Sequence, residues 1–257
     1  MDIVDVSLSD CEDETLEDIE LCSSECSLSD YRSIPNVGLY CVVLDFDDVL
    51  FPSSLLSVVA DMTEMDIFYT DENDPDYVLL RKLDLILCDF YEKATSLRCK
   101  IYIATLSSKS RVQKNVRMFF PEFWSRVCQS NIICAGEKFK HLLNTDVYPK
   151  TMAMIDAVCR AEYENINIID SLQSLSETVR TIARIAVVGV KENDLKSVET
   201  SSELLGLPFT MIFGETQPTT DQLIIQWRKI TENLLSYLTE IGNSVINLRS
   251  SQNEKMI

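Results

Sequence analysis

The sequence predicts an α/β domain: a Rossmann-like parallel sheet with helices on both faces. Two observations carry that prediction. Short, continuously apolar runs suit strands buried on both sides, and amphipathic helical stretches alternate with them along the chain. A third observation bounds the domain. Residues 1–31 hold eleven acids and no Lys or Arg, so of the net charge of −18 the remainder carries only −7, 30 acids against 23 bases. Dense like charge with few large apolar groups favours a solvated tail. The expected organisation is a disordered acidic tail over 1–35, an α/β domain over 36–242 and a flexible segment over 243–257.

Leu39–Leu44 (LYCVVL) reads as the first strand and ends at Asp45. Pro75 precedes a helix over 76–96, in which Leu79, Leu83, Ile86, Leu87 and Phe90 recur at helical spacing. Ile101–Ala104 (IYIA) is the second strand and runs into Thr105-Leu106-Ser107-Ser108. A helix over 110–119 and a short strand at Asn131–Cys134 follow. The next helix starts near Lys150, with Met154, Ile155 and Val158 inward. Ile166–Ile169 (INII) reads as a strand ending at Asp170. A helix from Leu172 to about Arg184 then leads to a strand at Ile185–Val190. A helix near 197–205 stops at Gly206, a natural C-cap residue, and Phe209–Phe213 reads as an edge or late strand. Thr219 with Gln222 forms a capping box for a closing helix striped by Leu223, Trp227, Ile230, Leu234, Leu238 and Ile241.

Composition excludes several function classes. With 46% hydrophobic and 25% charged residues the chain is globular, and its acidity argues against a nucleic-acid surface, which needs clustered positive charge. No apolar run is long enough to span a membrane, and the acidic start lacks a secretory signal. Nine cysteines, an odd number without an export signal, fit reduced thiols in the cytosol or nucleus. The single histidine, His141, stands in a polar stretch and argues against His-dependent triads and structural zinc. A dinucleotide site lacks its Gly-x-Gly-x-x-Gly.

In parallel sheets ligands bind beyond the carboxyl ends of the strands, so the chemistry is sought there. The first strand ends in Asp45-Phe46-Asp47-Asp48-Val49. Period two sends Asp45 and Asp47 the same way, and three acids at the mouth of a buried strand repel one another without a cation. Paired carboxylates invite Mg²⁺; one could attack a phosphoryl group while the other exchanges protons with the leaving group. Thr105 offers a hydroxyl to phosphate oxygens, and Lys150 opens a helix where ammonium and helix N-terminus both favour negative charge. Asp170 ends a later strand as a candidate third carboxylate.

In order and spacing, Asp45-x-Asp47-x-Val49, Thr105, Lys150 and Asp170-Ser171 resemble the haloacid dehalogenase-like hydrolases. Nearer still are poorly characterised eukaryotic members of that superfamily. They share an Asp-Phe-Asp with a nearby proline (Pro52), a turn like Cys134-Ala135 and a closing element like Pro218-Thr219…Leu223…Gln226-Trp227. The resemblance spans about 38–235. It implies a Mg²⁺-dependent phosphatase or phosphotransferase. About 50 residues separate Asp48 from the second strand and much of that is helix 76–96, so any cap is small or absent and the open site admits a phosphorylated small molecule or phosphoprotein. Asp45 would be the nucleophile and a metal ligand. Asp47 would be the general acid/base, with its backbone carbonyl on Mg²⁺. Thr105 would hold phosphoryl oxygens, Lys150 would neutralise nucleophile and phosphate, and Asp170 would complete the cation site.

The departures from the pattern define the alternatives. Asp48 stands where glycine is common, Ile169 where glycine often precedes the metal aspartate, and Ser174 where a second acid often follows. Gly189…Asp194 is a rival fourth motif, with Val190 in place of its aspartate, and Lys138 and Lys140 rival Lys150. The alternative function is a non-catalytic interaction protein that kept this fold and lost full metal binding.

Overall fold

Leu39–Leu44 forms β1, and its alternation splits the interior into two layers. Tyr40, Val42 and Leu44 face one hydrophobic cluster, while Cys41 and Val43 face the other. The computed structural model describes residues 39–54, 75–127, 131–140, 147–162 and 181–249, all within the unit Val37–Ile257. After β1 come α1 (Pro75–Ser96), β2 (Cys99–Thr105), α2 (Lys109–Phe119), α3 (Pro121–Arg126), β3 (Ile132–Cys134) and a short α4 (Ala135–Lys138). Then follow α5 (Val147–Glu162), β4 (Ile182–Gly189), α6 (Glu192–Leu205), β5 (Phe209–Phe213), α7 (Thr220–Thr239) and β6 (Ser244–Asn247).

The strands form one six-stranded sheet in the order β3-β2-β1-β4-β5-β6, every neighbouring pair parallel. Helices α1, α2, α3 and α7 cover one face, and α5 with α6 covers the other. The chain leaves β1 toward β2 and β3, then returns to lay β4 on the other side of β1. That reversal makes the carboxyl ends of β1 and β4 the switch point of the sheet, where α/β folds receive ligands.

Several joints are chemical rather than merely apolar. Trp227 of α7 is fully buried, meets Phe90 of α1 edge-on at 4.8 Å, and donates its indole N–H to the Val49 carbonyl at 2.8 Å. It thereby ties the loop after β1 to the helix layer. Asp84, inside α1, accepts the backbone N–H groups of Glu122 and Phe123 at 3.1 and 2.8 Å. It caps α3, whose own N-cap residue Phe120 makes no side-chain bond. Gly206 closes α6 at φ 64°, a left-handed conformation that glycine adopts without penalty.

The structure differs from the sequence expectations at five places. The helix expected to run to about Arg184 does not extend that far: Ile182–Gly189, with Arg184 in it, is β4. Its buried guanidinium donates to the carbonyls of Phe209 and Glu240 and to the Thr210 hydroxyl. A cation amid apolar residues reads as a helix surface, yet here carbonyls solvate it. Residues 244–247, expected to fray, form β6 against β5, so β5 is not the edge. Ile241, placed on the inner stripe of the closing helix, lies beyond α7 and is 99% exposed. The helix of Lys150 begins earlier, at Val147, and the unforeseen α3 follows Phe120. The expected strand at Ile166–Ile169, the start of the helix after it and His141 lie outside the described residues. Among the described residues no helix is long and apolar enough to cross a membrane.

Trp227→Phe keeps the ring packing but strands the buried Val49 carbonyl, and should lower unfolding free energy by about 1–3 kcal/mol. Urea denaturation measures this; a loss below about 0.5 kcal/mol would mean the indole bond contributes nothing.

Candidate functional site

Asp45 follows the last residue of β1, and its backbone N–H donates to the Val188 carbonyl at 3.0 Å, continuing the β1–β4 pairing to the switch point. Its carboxylate is nearly buried, at 6% residue exposure. One oxygen accepts the Phe46 N–H at 2.9 Å; the other accepts the Lys150 ammonium at 2.7 Å. The same ammonium reaches Oδ1 of Asp194 at 2.5 Å. Lys150 therefore sits between two buried carboxylates drawn from separate parts of the chain. Burial pushes the Asp45 carboxyl up to about 6, opposed by Lys150 and aided by Asp194. For Lys150, burial acts downward, but the charges of Asp45 and Asp194 outweigh it and raise its pKa, so the lysine stays cationic. Two carboxylates sharing one cation account for both directions.

Asp194 holds this arrangement from the far side. Its Oδ2 accepts the N–H groups of Val190 and Lys191 at 3.1 and 3.0 Å, which caps α6 while Oδ1 remains for Lys150. Gly189 permits the approach, since a Cβ there would stand 2.6 Å from Asp194 Oδ2. The sequence reading weighed the Gly189…Asp194 stretch as a rival fourth motif, and the strand beside β1 is the one that precedes it. Asp170 lies outside the described residues, together with Ile169 and Ser174.

The loop after β1 turns its other acids to separate partners. Asp47, half-exposed, accepts the Ser53 hydroxyl at 2.5 Å and the Ser107 hydroxyl at 2.6 Å, with the Arg111 guanidinium at 3.4 Å. Asp48 accepts both the N–H, at 2.8 Å, and the hydroxyl of Ser54. Asp48 has φ 62°, in the left-handed region that favours glycine; aspartate is among the few other residues that tolerate it. Thr105, fully buried at the end of β2, accepts the Ser107 N–H at 3.0 Å, so Ser107 links the Thr105 turn to Asp47. Ser108 caps the helix that follows by accepting the Arg111 N–H at 3.3 Å. Of the rival lysines, Lys138 pairs with Asp156 at 2.5 Å and Lys140 is exposed. Lys150 is the one bound to Asp45.

The expectation that the acids after β1 need a cation meets a specific answer. Lysine, arginine, serine hydroxyls and backbone N–H groups supply the compensation. Protein donors meet both oxygens of Asp45 and both of Asp47, and the residue after β4 is the apolar Val190 rather than a carboxylate. Among the described residues no three His, Cys, Asp or Glu side chains group as metal ligands. The described residues thus do not fit a three-carboxylate Mg²⁺ site. Cys41, Cys88, Cys99, Cys134 and Cys159 are buried free thiols, and burial pushes Cys99 up to about 12 and Cys159 up to about 11, which makes them packing groups rather than nucleophiles.

Sequence reasoning missed Ser53, Ser107 and Arg111 as partners of Asp47. Short hydroxyl residues and a helix-surface arginine carry no spacing signal of their own. Comparison with protein-family models, curated proteins and solved structures finds no match. The fold and site therefore define an α/β protein with a buried Asp–Lys–Asp cluster at the switch point of its parallel sheet.

Removing the cation sets a pH-dependent test. Lys150→Met leaves Asp45 and Asp194 buried without their counter-charge and should lower unfolding free energy by about 3–5 kcal/mol at pH 7.5. An acid whose folded pKa exceeds its unfolded value binds more protons when folded, so its stability contribution falls as pH rises through the interval between them. The Lys150→Met deficit should accordingly shrink at pH 5, where one carboxyl takes up a proton. Urea unfolding at both values checks this; equal deficits would remove the carboxylates as its source.

Proposed function

We propose that the chain is a phosphoryl-transfer protein of the haloacid dehalogenase type, with Asp45 as the nucleophile toward a phosphomonoester. The observation that carries the reading is the Lys150 ammonium held between Asp45 and Asp194 at the switch point beside β1. A buried lysine on a carboxylate keeps it oriented and offsets the charge of an incoming phosphoryl group. In this reading Asp45 attacks phosphorus as the bond to the leaving oxygen breaks. Asp47 in its protonated form gives that oxygen its proton, and takes one back from the water that later cleaves the aspartyl-phosphate and frees Asp45. Thr105 and the turn of Ser107–Ser108 receive the non-bridging oxygens, and water then hydrolyses the aspartyl-phosphate. Mg²⁺ would add charge neutralisation when bound. With the described ligand set incomplete, the metal enters as an arm of the test rather than as a step. The substrate reading is a phosphorylated small molecule or phosphoprotein.

A phosphomonoester panel with and without Mg²⁺ tests the proposal. Wild type should turn over at least one member, Asp45→Asn should abolish turnover with the fold intact, and Asp47→Asn should slow it by roughly 10²–10⁴-fold. Retained turnover in Asp45→Asn would remove Asp45 as nucleophile.

Val190 favours a second reading: a non-catalytic relative that kept the Asp–Lys–Asp cluster and lost its metal carboxylate. Under it, wild type hydrolyses nothing and binds no Mg²⁺. Val190→Asp, which restores a carboxylate at the end of β4, should then gain Mg²⁺ binding by titration calorimetry. If it gains none, loss of that carboxylate is not what distinguishes this chain.

A further inference from the structure

Arg249, the last described residue, bonds to the turn that holds Asp194. Its position follows from β6: Leu248 donates its N–H to the Phe213 carbonyl at 2.9 Å, and the Arg249 N–H turns back onto Asn247 Oδ1 at 3.0 Å. The guanidinium then lies over the Phe213 ring, 4.7 Å from its centroid. From there Nε donates to the Gly214 carbonyl at 3.2 Å, and Nη2 donates to the Val190 carbonyl at 2.6 Å. Gly214 in turn donates its N–H to the Gly189 carbonyl at 2.9 Å. Arg249 thus straddles the carboxyl ends of β4 and β5, joined to both.

The Val190 contact matters because of what the same peptide segment does next. The Val190 N–H and the Lys191 N–H hold Asp194 Oδ2; Asp194 Oδ1 holds Lys150; Lys150 holds Asp45. Each link is a hydrogen bond of ordinary or short length, and three of the groups, Asp194, Lys150 and Asp45, are charged. The apolar side chain of Val190 is buried in the core, and the peptide groups of the Val190–Lys191 turn are left for polar partners. Arg249 and Asp194 are its two side-chain clamps, one on a carbonyl and one on N–H groups.

We propose that Arg249 is a positioning residue of the Asp45 site. By holding the Val190–Lys191 turn, it keeps Asp194 where it orients Lys150 on Asp45, which makes β6 and its arginine a working part of the site. A neutral side chain at 249 leaves that carbonyl without its charged donor, and the turn then relaxes away from Asp194. Lysine could reach one of the two carbonyls but not bridge both, because it lacks the planar fork. The kinetic arm of this inference rests on the reading of Asp45 as nucleophile; the spectroscopic arm does not.

The test compares full-length wild type, Arg249→Ala and Arg249→Lys, with para-nitrophenyl phosphate as the kinetic probe. Arg249→Ala should lower kcat by roughly 10–100-fold, the range for loss of a supporting partner, with KM little changed. Added guanidinium should restore part of that loss, and Arg249→Lys should fall between the other two. Unchanged kcat would overturn the inference, as would a loss that guanidinium leaves untouched and that merely follows a lower Tm. Should wild type hydrolyse nothing, the nucleophile reading fails by itself, and the ¹⁵N resonance of Lys150 Nζ decides the positioning role. A shift of that resonance in Arg249→Ala, reversed by guanidinium, upholds it; an unmoved resonance overturns it.

Discussion

The Lys150 ammonium between two buried carboxylates is the constraint on which the rest of the architecture depends. Taking three charges out of water is expensive, and their mutual attraction compensates only when geometry is good and the remaining lone pairs are satisfied. Here they are: the Phe46 N–H serves Asp45, and the Val190 and Lys191 N–H groups serve Asp194. Such a cluster is a poor means of gaining stability, since apolar residues of similar volume serve as well or better. It does demand that β1, α5 and the β4–α6 turn meet at one point. The apolar layers on either side of the sheet supply the stability that lets this point exist.

Around that point the acidity of the chain is handled locally. The loop from Asp45 to Ser54 carries three carboxylates, and each has its own donors: a lysine, a pair of hydroxyls with an arginine nearby, and a serine that offers both N–H and hydroxyl. Folding the loop back on itself is what brings Ser53 and Ser54 to Asp47 and Asp48, and the left-handed Asp48 makes the bend. The Trp227 indole then fixes the loop by the Val49 carbonyl, so the charge pattern and the core share one anchor.

How much of this was legible in the sequence depended on the kind of signal each element carries. β1 and β5 coincide with their expected runs residue for residue, because burial on both faces leaves them almost wholly apolar, with Thr210 the one hydroxyl residue in β5. β6 escaped notice because it is four residues long with alternate positions exposed, and its polar surroundings match a fraying end. Arg184 misled for the opposite reason, as a charge whose solvation by carbonyls is a tertiary fact. In the site, Asp45, Asp47 and Thr105 were readable as polar residues at strand ends. Asp194 was harder: it does not end its strand but comes five residues after it, inside the first turn of α6, where an acid reads as an ordinary cap. It is a cap, and its second oxygen does the rest. Lys150 stood among three lysines, and only the packing of α5 singles it out.

The hydrogen bonds of the cluster also set a condition on how the molecule comes together. Asp45 and Lys150 are 105 residues apart, and Lys150 and Asp194 another 44. Their sheet is parallel throughout, so every strand pairing closes a long loop before any reward returns, a topology that folds slowly. During synthesis β1 must wait with its acidic end unmatched while more than half the chain emerges. Until α5 and the β4–α6 turn arrive, Asp45 has no buried partner, and water is the better place for it. The central strand of the finished sheet is therefore among the last to have its carboxyl end sealed, and a nascent chain halted before Asp194 holds an open, solvated mouth where the mature protein holds an ion cluster.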